Sequence, residues 1–183
     1  MKYLALKCSR SGWSAFDQMS VRIAGKTDAN LRRRVIAVHL DSTFYCNQFA
    51  LPDMLGLGWG RIVNIASTAG STGYTYVSAY CAANHCVIGL TRSLSREMAT
   101  KGIPVNAVCS GYSDTEMAQQ AIANIVTKTS RTEHEELAEL TCHNAHKRLI
   151  RPSKLANSLA WLCLPGSEAI TGRNVSVSGG EVS

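Results

Sequence analysis

Ser67 and Tyr80 are hydroxyl-bearing residues thirteen positions apart, with Asn84 four places beyond the tyrosine and His39 well upstream. Two hydroxyls aimed at one point can donate to a carbonyl oxygen and polarise it, or hold the oxygen of an alcohol. A serine beside an imidazole is instead the minimal activated nucleophile of an esterase, and a nearby phenol can steady its oxyanion. A free tyrosine titrates near ~10, so at neutral pH it donates a hydrogen bond but is a poor base. Which chemistry is open depends on what stands around the phenol.

Positioning falls to the stretch from Gly60 to Gly111. Ile62-Val63-Asn64-Ile65-Ala66 and Ile103-Pro104-Val105-Asn106-Ala107-Val108-Cys109 are short apolar runs rich in β-branched residues, the pattern of strands buried on both faces. Between them a Gly/Ser/Thr loop leads into a helix predicted over 79–99, with Ala83, Val87, Leu90, Leu94 and Met98 on one face. The result is a strand, a crossover helix and a parallel strand. In such α/β sheets the chemistry sits at the carboxyl ends of the strands, where Ser67, Ser110 and Gly111 fall. Tyr80 and Asn84, one helical turn apart, project together near the helix start.

These landmarks resemble the short-chain dehydrogenase/reductase family, and within it the 3-oxoacyl and 3-hydroxyacyl reductases. The likeness runs from about residue 30 through Ser67, Tyr80-Cys81-Ala82-Ala83-Asn84, Val105-Asn106-Ala107-Val108-Cys109-Ser110-Gly111 and Ile170-Thr171-Gly172 to Val177-Ser178-Gly179-Gly180. It implies a three-layer, Rossmann-like, doubly wound parallel sheet, and an oxidoreductase in which Ser67 and Tyr80 polarise a carbonyl while NAD(P) supplies hydride. It also implies cofactor contacts at Asn64, Ser110 and Gly111, a small-molecule carbonyl or hydroxyacyl substrate, a substrate lid over 112–150, and homo-oligomers paired through the helices 28–50 and 79–99.

Three positions depart from the family pattern. Asn84 stands where the family has the lysine of Tyr-x-x-x-Lys, His39 where it has an asparagine, and Ser110 where it has a proline before Gly111. The lysine lowers the tyrosine pKa and holds the nicotinamide ribose; neutral Asn84 supplies neither. The Thr-Gly-x-x-x-Gly-x-Gly pattern expected before residue 30 is not found, so the single domain is expected to be truncated at its amino end, with 1–26 an atypical segment. Gly56-Leu57-Gly58-Trp59-Gly60 follows a helix and precedes a strand, and reads as a helix-ending turn.

Three functions stay open on this sequence. The first is a reductase relative with a degenerate site and impaired or lost NAD(P)-dependent turnover. The second is a cofactor-independent hydrolase acting on an ester through Ser67, His39 and Tyr80. The third is a non-catalytic, oligomerising remnant. The plain reading of His39 is a hydrogen-bonded helix histidine.

The chain of 183 residues is 45% hydrophobic and 17% charged, ordinary for a folded domain. No apolar run approaches the ~20 residues of a membrane span. Seven cysteines without a Cys-x-x-Cys pair suggest free thiols and a cytoplasmic protein. The net charge of +6 peaks at Arg32-Arg33-Arg34, which fits a solvated helix face; no nucleic-acid motif accompanies it. A helix is predicted from Asp28 to about Ala50, with Leu31, Val35, Val38, Ser42, Tyr45 and Phe49 as its core stripe and Pro52 closing it. Residues 1–6 could form a short strand and 7–14 a loop. Downstream, helices are predicted over 115–126, from Thr132 and from Pro152, with a last strand over 174–178. Cys142, His143 and His146 lack partners at ligand spacing, and solvated lid residues are expected there rather than a metal site.

Overall fold

The computed structural model describes residues 4–6, 24–128 and 131–182. Four strands form one parallel sheet, β1 Leu4–Leu6, β2 Ile62–Ser67, β3 Val105–Ser110 and β4 Asn174–Val177, lying side by side in chain order. β2 and β3 pair along their whole length, from Ile62 opposite Val105 to Ser67 opposite Ser110. That register sets two hydroxyl residues together at the carboxyl edge. The loop expected over 7–14 lies outside the described residues.

Parallel neighbours need long crossovers, and here each is helical. Between β1 and β2 run α1 Ala29–Ile36, a π turn Ala37–Asp41 and α2 Ser42–Leu57. α3, Ser78–Met98, joins β2 to β3. α4 Glu116–Lys128, α5 Glu133–Leu140 and α6 Pro152–Cys163 join β3 to β4.

Alternation along the strands splits the core into two layers. Ile62, Ala66, Val105 and Cys109 face α2 and α3, packing on Met54, Val87, Ile88 and Leu94. Val63 and Val108 face Leu162 and Leu159 of α6. The three-layer sandwich implied by the family resemblance is therefore present. α3 and α6 lie on opposite faces although the strands step the same way across the sheet, so their crossovers have opposite hands. One of them departs from the right-handed rule that about 98% of such units obey.

The long amino-terminal helix differs from expectation in two respects. Asp28 caps it as predicted, accepting from the backbone N–H groups of Asn30 and Leu31 at 2.8 and 2.9 Å. Leu31 and Val35 are buried, but Tyr45 is 64% and Phe49 88% exposed. The π turn explains the change: an i→i+5 turn adds a residue and rotates the stripe that follows. Asn47 and Met54 take the buried positions instead. Pro52 does not close the helix; it lies within α2, which ends at Gly58 in the left-handed region (φ 61°), in the glycine turn expected there.

Elsewhere the elements follow the sequence closely. Thr132 and Glu135 form the capping box that starts α5, and Pro152 opens α6. The segment 112–150 is closed at its base by Asp114 N–H donating to the Ile150 carbonyl and Ile150 N–H to that of Tyr112, each at 2.9 Å. Arg32, Arg33 and Arg34 are exposed on α1, as a solvated face should be. No helix among the described residues is long and apolar enough to cross a membrane.

Candidate active site

Ser67 is the last residue of β2, and its hydroxyl accepts the N–H of Ala69 at 3.2 Å, capping a single 3₁₀ turn over Thr68–Gly70. That turn presses on α3. A Cβ on Gly70 would lie 2.8 Å from both the Asn84 carbonyl oxygen and Ile88 Cδ1, so only glycine permits the approach. The close contact brings the strand end to the first turn of α3, where Tyr80 sits.

Asn84 holds the two together. Its Oδ1 accepts the Ser67 N–H and its Nδ2 donates to the Tyr80 carbonyl, both at 3.0 Å, and the residue is 2% exposed. The side chain is a bracket between β2 and α3. Neutral and engaged in these two bonds, Asn84 does not supply the cation that the family's lysine would bring to a nicotinamide ribose. Burial raises the Tyr80 pKa above its ordinary value, and the Ser67 and Asn84 side chains, close to its hydroxyl, only partly offset this by favouring the anion. Tyr80 is thus a phenol at neutral pH, a donor positioned next to Ser67.

His39 falls in the π turn, its ring edge-on to that of Tyr80 with centroids 5.0 Å apart. Its Nε2 is buried without a hydrogen-bond partner, which corrects the expectation of a satisfied helix histidine. Burial lowers its pKa, so the imidazole is neutral at pH 7. Among the described residues no hydrogen bond joins His39 to Ser67.

The expected cofactor contacts separate. Asn64 is fully buried in mid-strand and donates to Thr91 Oγ1 at 3.0 Å, so it fastens β2 to α3. Ser110 and Gly111 do lie at the carboxyl end of β3, beside Ser67. The Ser110 hydroxyl donates to the Gly111 carbonyl at 2.9 Å and stands 3.3 Å from that of Ser113. Cys142, His143 and His146 are exposed, and no group of three potential metal ligands occurs among the described residues.

Two residues of the site escaped the sequence reading. The Tyr74 hydroxyl donates to the Glu181 carboxylate and lies 2.9 Å from Thr68 Oγ1, while its backbone N–H reaches Cys81 Sγ at 3.4 Å. Tyr74 is thereby tied to the neighbours of both Ser67 and Tyr80. Glu181 arrives from the far end of the chain, after two glycines in the left-handed region. Burial, followed by the hydrogen bond to Glu181, pushes the Tyr74 pKa up, and burial with the same carboxylate raises that of Tyr112. The available signal was a solitary acid behind Gly179-Gly180, opposite a tyrosine in the active-site loop.

A parallel sheet with a serine at a strand end and a tyrosine on the next helix is the arrangement that the resemblance to the short-chain dehydrogenase/reductase family implies. The comparisons agree. The sequence profile of a family described as enoyl-(acyl carrier protein) reductase matches residues 15–181. The chain is 36% identical over 148 residues to a D-β-hydroxybutyrate dehydrogenase of Rhizobium meliloti, covering 80% of this chain and 57% of the relative. It is 39% identical over 127 residues to a putative ketoacyl reductase of Streptomyces coelicolor, covering 69% and 49%. The crystal structure of an actinorhodin polyketide ketoreductase variant with NADPH superposes with a TM-score of 0.81 at 33% identity, over 87% of this chain and 62% of that one. The chain belongs to the short-chain dehydrogenase/reductase family, and it spans about half the length of the curated relatives it matches.

Proposed function

We propose that this protein binds a carbonyl or hydroxyl oxygen of a small 3-oxoacyl- or 3-hydroxyacyl-like molecule between Ser67 and Tyr80, with NAD(P)-dependent turnover weak or lost. One observation carries the reading: Asn84 occupies the lysine position and spends its amide on the framework. Nothing cationic then lowers the Tyr80 pKa, and the phenol polarises an oxygen far better than it gives up its proton.

The test is NADPH oxidation with a 3-oxoester in the wild type and in Asn84→Lys, with unfolding followed in parallel because an ammonium at a 2% exposed position costs stability. Turnover is expected to be near background in the wild type and to rise at least about tenfold in a folded Asn84→Lys protein. Wild-type rates already in the ordinary range of ~1–10³ s⁻¹ would overturn the proposal.

A second reading has one observation in its favour, the neutral, unpartnered Nε2 of His39 against Tyr80. It predicts cofactor-free hydrolysis of a short-chain aryl ester that vanishes in Ser67→Ala. The missing His39 to Ser67 hydrogen bond leaves it second, because a serine nucleophile needs its base within reach.

A further inference from the structure

The site described above contains a carboxylate that its chemistry does not require. Glu181 lies on the Tyr74 phenol, which in turn touches Thr68, the residue after Ser67. It also lies against Gly111: a Cβ there would come within 2.7 Å of Glu181 Oε2. The acid therefore spans the gap between the loop after β2 and the end of β3, the two walls that flank Ser67. Among the described residues no lysine, arginine or histidine forms an ion pair with it. The titratable groups on which its charge acts include the phenols Tyr74 and Tyr112, and Tyr112 also feels Tyr80. No counter-charge offsets a half-buried carboxylate whose contacts are neutral, and an anion entering the same cleft is repelled with little screening.

We infer that Glu181 selects ligands by charge, so that the Ser67 and Tyr80 hydroxyls receive neutral or cationic carbonyl and hydroxyl compounds and reject carboxylates. The inference rests on the function proposed above. It departs from what the 36% identical relative's name says it acts on, since hydroxybutyrate is an anion.

Ligand-observed NMR titration with acetoacetate and with acetoacetamide, which differ chiefly in charge, tests it without turnover. The wild type should bind the amide at least about tenfold more tightly than the acid. Glu181→Gln keeps an acceptor for the Tyr74 hydroxyl and should shrink the preference to within about threefold, mainly by admitting acetoacetate. Equal binding of the two compounds by the wild type, or an unchanged preference in a Glu181→Gln protein that melts normally, overturns charge selection. Amide binding that persists unchanged in Tyr80→Phe and Ser67→Ala places the ligand elsewhere and overturns the proposed site itself. Absence of binding by every protein to either compound overturns both.

Discussion

At the scale of single residues, His39 and the buried phenols give the protein a definite dependence on pH. Burial holds the His39 pKa below its ordinary value near ~6.5. The unfolded chain therefore takes up this proton first as pH falls, and stability present above ~6.5 is lost in acid. His39→Phe retains an aromatic edge for Tyr80 but removes the titration. Urea midpoints taken between pH 7.5 and 5 should fall less steeply in the variant than in the wild type; equal slopes would mean that the imidazole takes up its proton as readily in the fold as in the unfolded chain. Tyr74, Tyr80 and Tyr112 act at the other end. Their pKa values are raised in the fold, so the stability they contribute is intact below ~10 and declines as pH rises beyond it. Ser67, Tyr80 and Asn84 were legible because each is separated from the next by a spacing that one strand, one loop and one helical turn convert directly into proximity. Glu181 was not, since its partner Tyr74 lies 107 residues away and the meeting depends on how β4 ends.

Among the elements, the α1–π–α2 helix shows where periodicity fails. A 3.6-residue repeat assumes one unbroken helix, and a single π turn at Ala37–Asp41 carries Tyr45 and Phe49 out of the predicted core. Nothing in the sequence marks such a turn. By contrast α3, α5 and α6 are unbroken and carry local signals at their starts or an intact stripe, and their positions were legible to within about two residues. Pro52 misled for a related reason: its effect on a helix is energetic, and a well-packed helix can absorb it. It removes one intrahelical hydrogen bond in the third turn of α2 while Met54, two residues on, is 2% exposed against Ile62, Leu94, Ile103 and Val105. Pro52→Ala should restore that bond and raise stability by about 1–2 kcal/mol, after allowance for the greater freedom of alanine in the unfolded chain. Urea unfolding checks it, and a loss of stability would show that the proline sits at a bend the helix needs.

For the molecule as a whole, the rotated stripe leaves an apolar surface. Phe44, Tyr45 and Phe49 are 45%, 64% and 88% exposed on one stretch of α2. Exposed aromatics grouped in this way suit an interaction surface, and pairing with a second copy of the chain is the prediction they support. Light scattering should find a dimer or larger particle whose mass falls in Phe49→Glu at equal concentration; a wild type that is monomeric throughout would leave the patch uncovered and the pairing wrong. The layered α/β fold was legible from the two apolar runs and the helix between them. The opposite hands of the α3 and α6 crossovers were not, because hand is a property of which face a helix docks on, and α3 and α6 each present one apolar stripe that fits either side.

One connection binds landmarks that looked independent along the chain. Asn106 on β3 donates to the Ile170 carbonyl at 2.7 Å and accepts the Arg173 N–H at 3.1 Å, and Thr171 Oγ1 takes the Val105 N–H at 3.1 Å. The Gly172 N–H closes the set on the Val105 carbonyl at 2.8 Å. The deuterium clock of this protein should therefore run at one rate for the amides of Val105, Gly172 and Arg173, which lose their acceptors in a single opening event. Asn106→Ala should quicken all three together by about tenfold while leaving Val63, on the neighbouring ladder, unchanged.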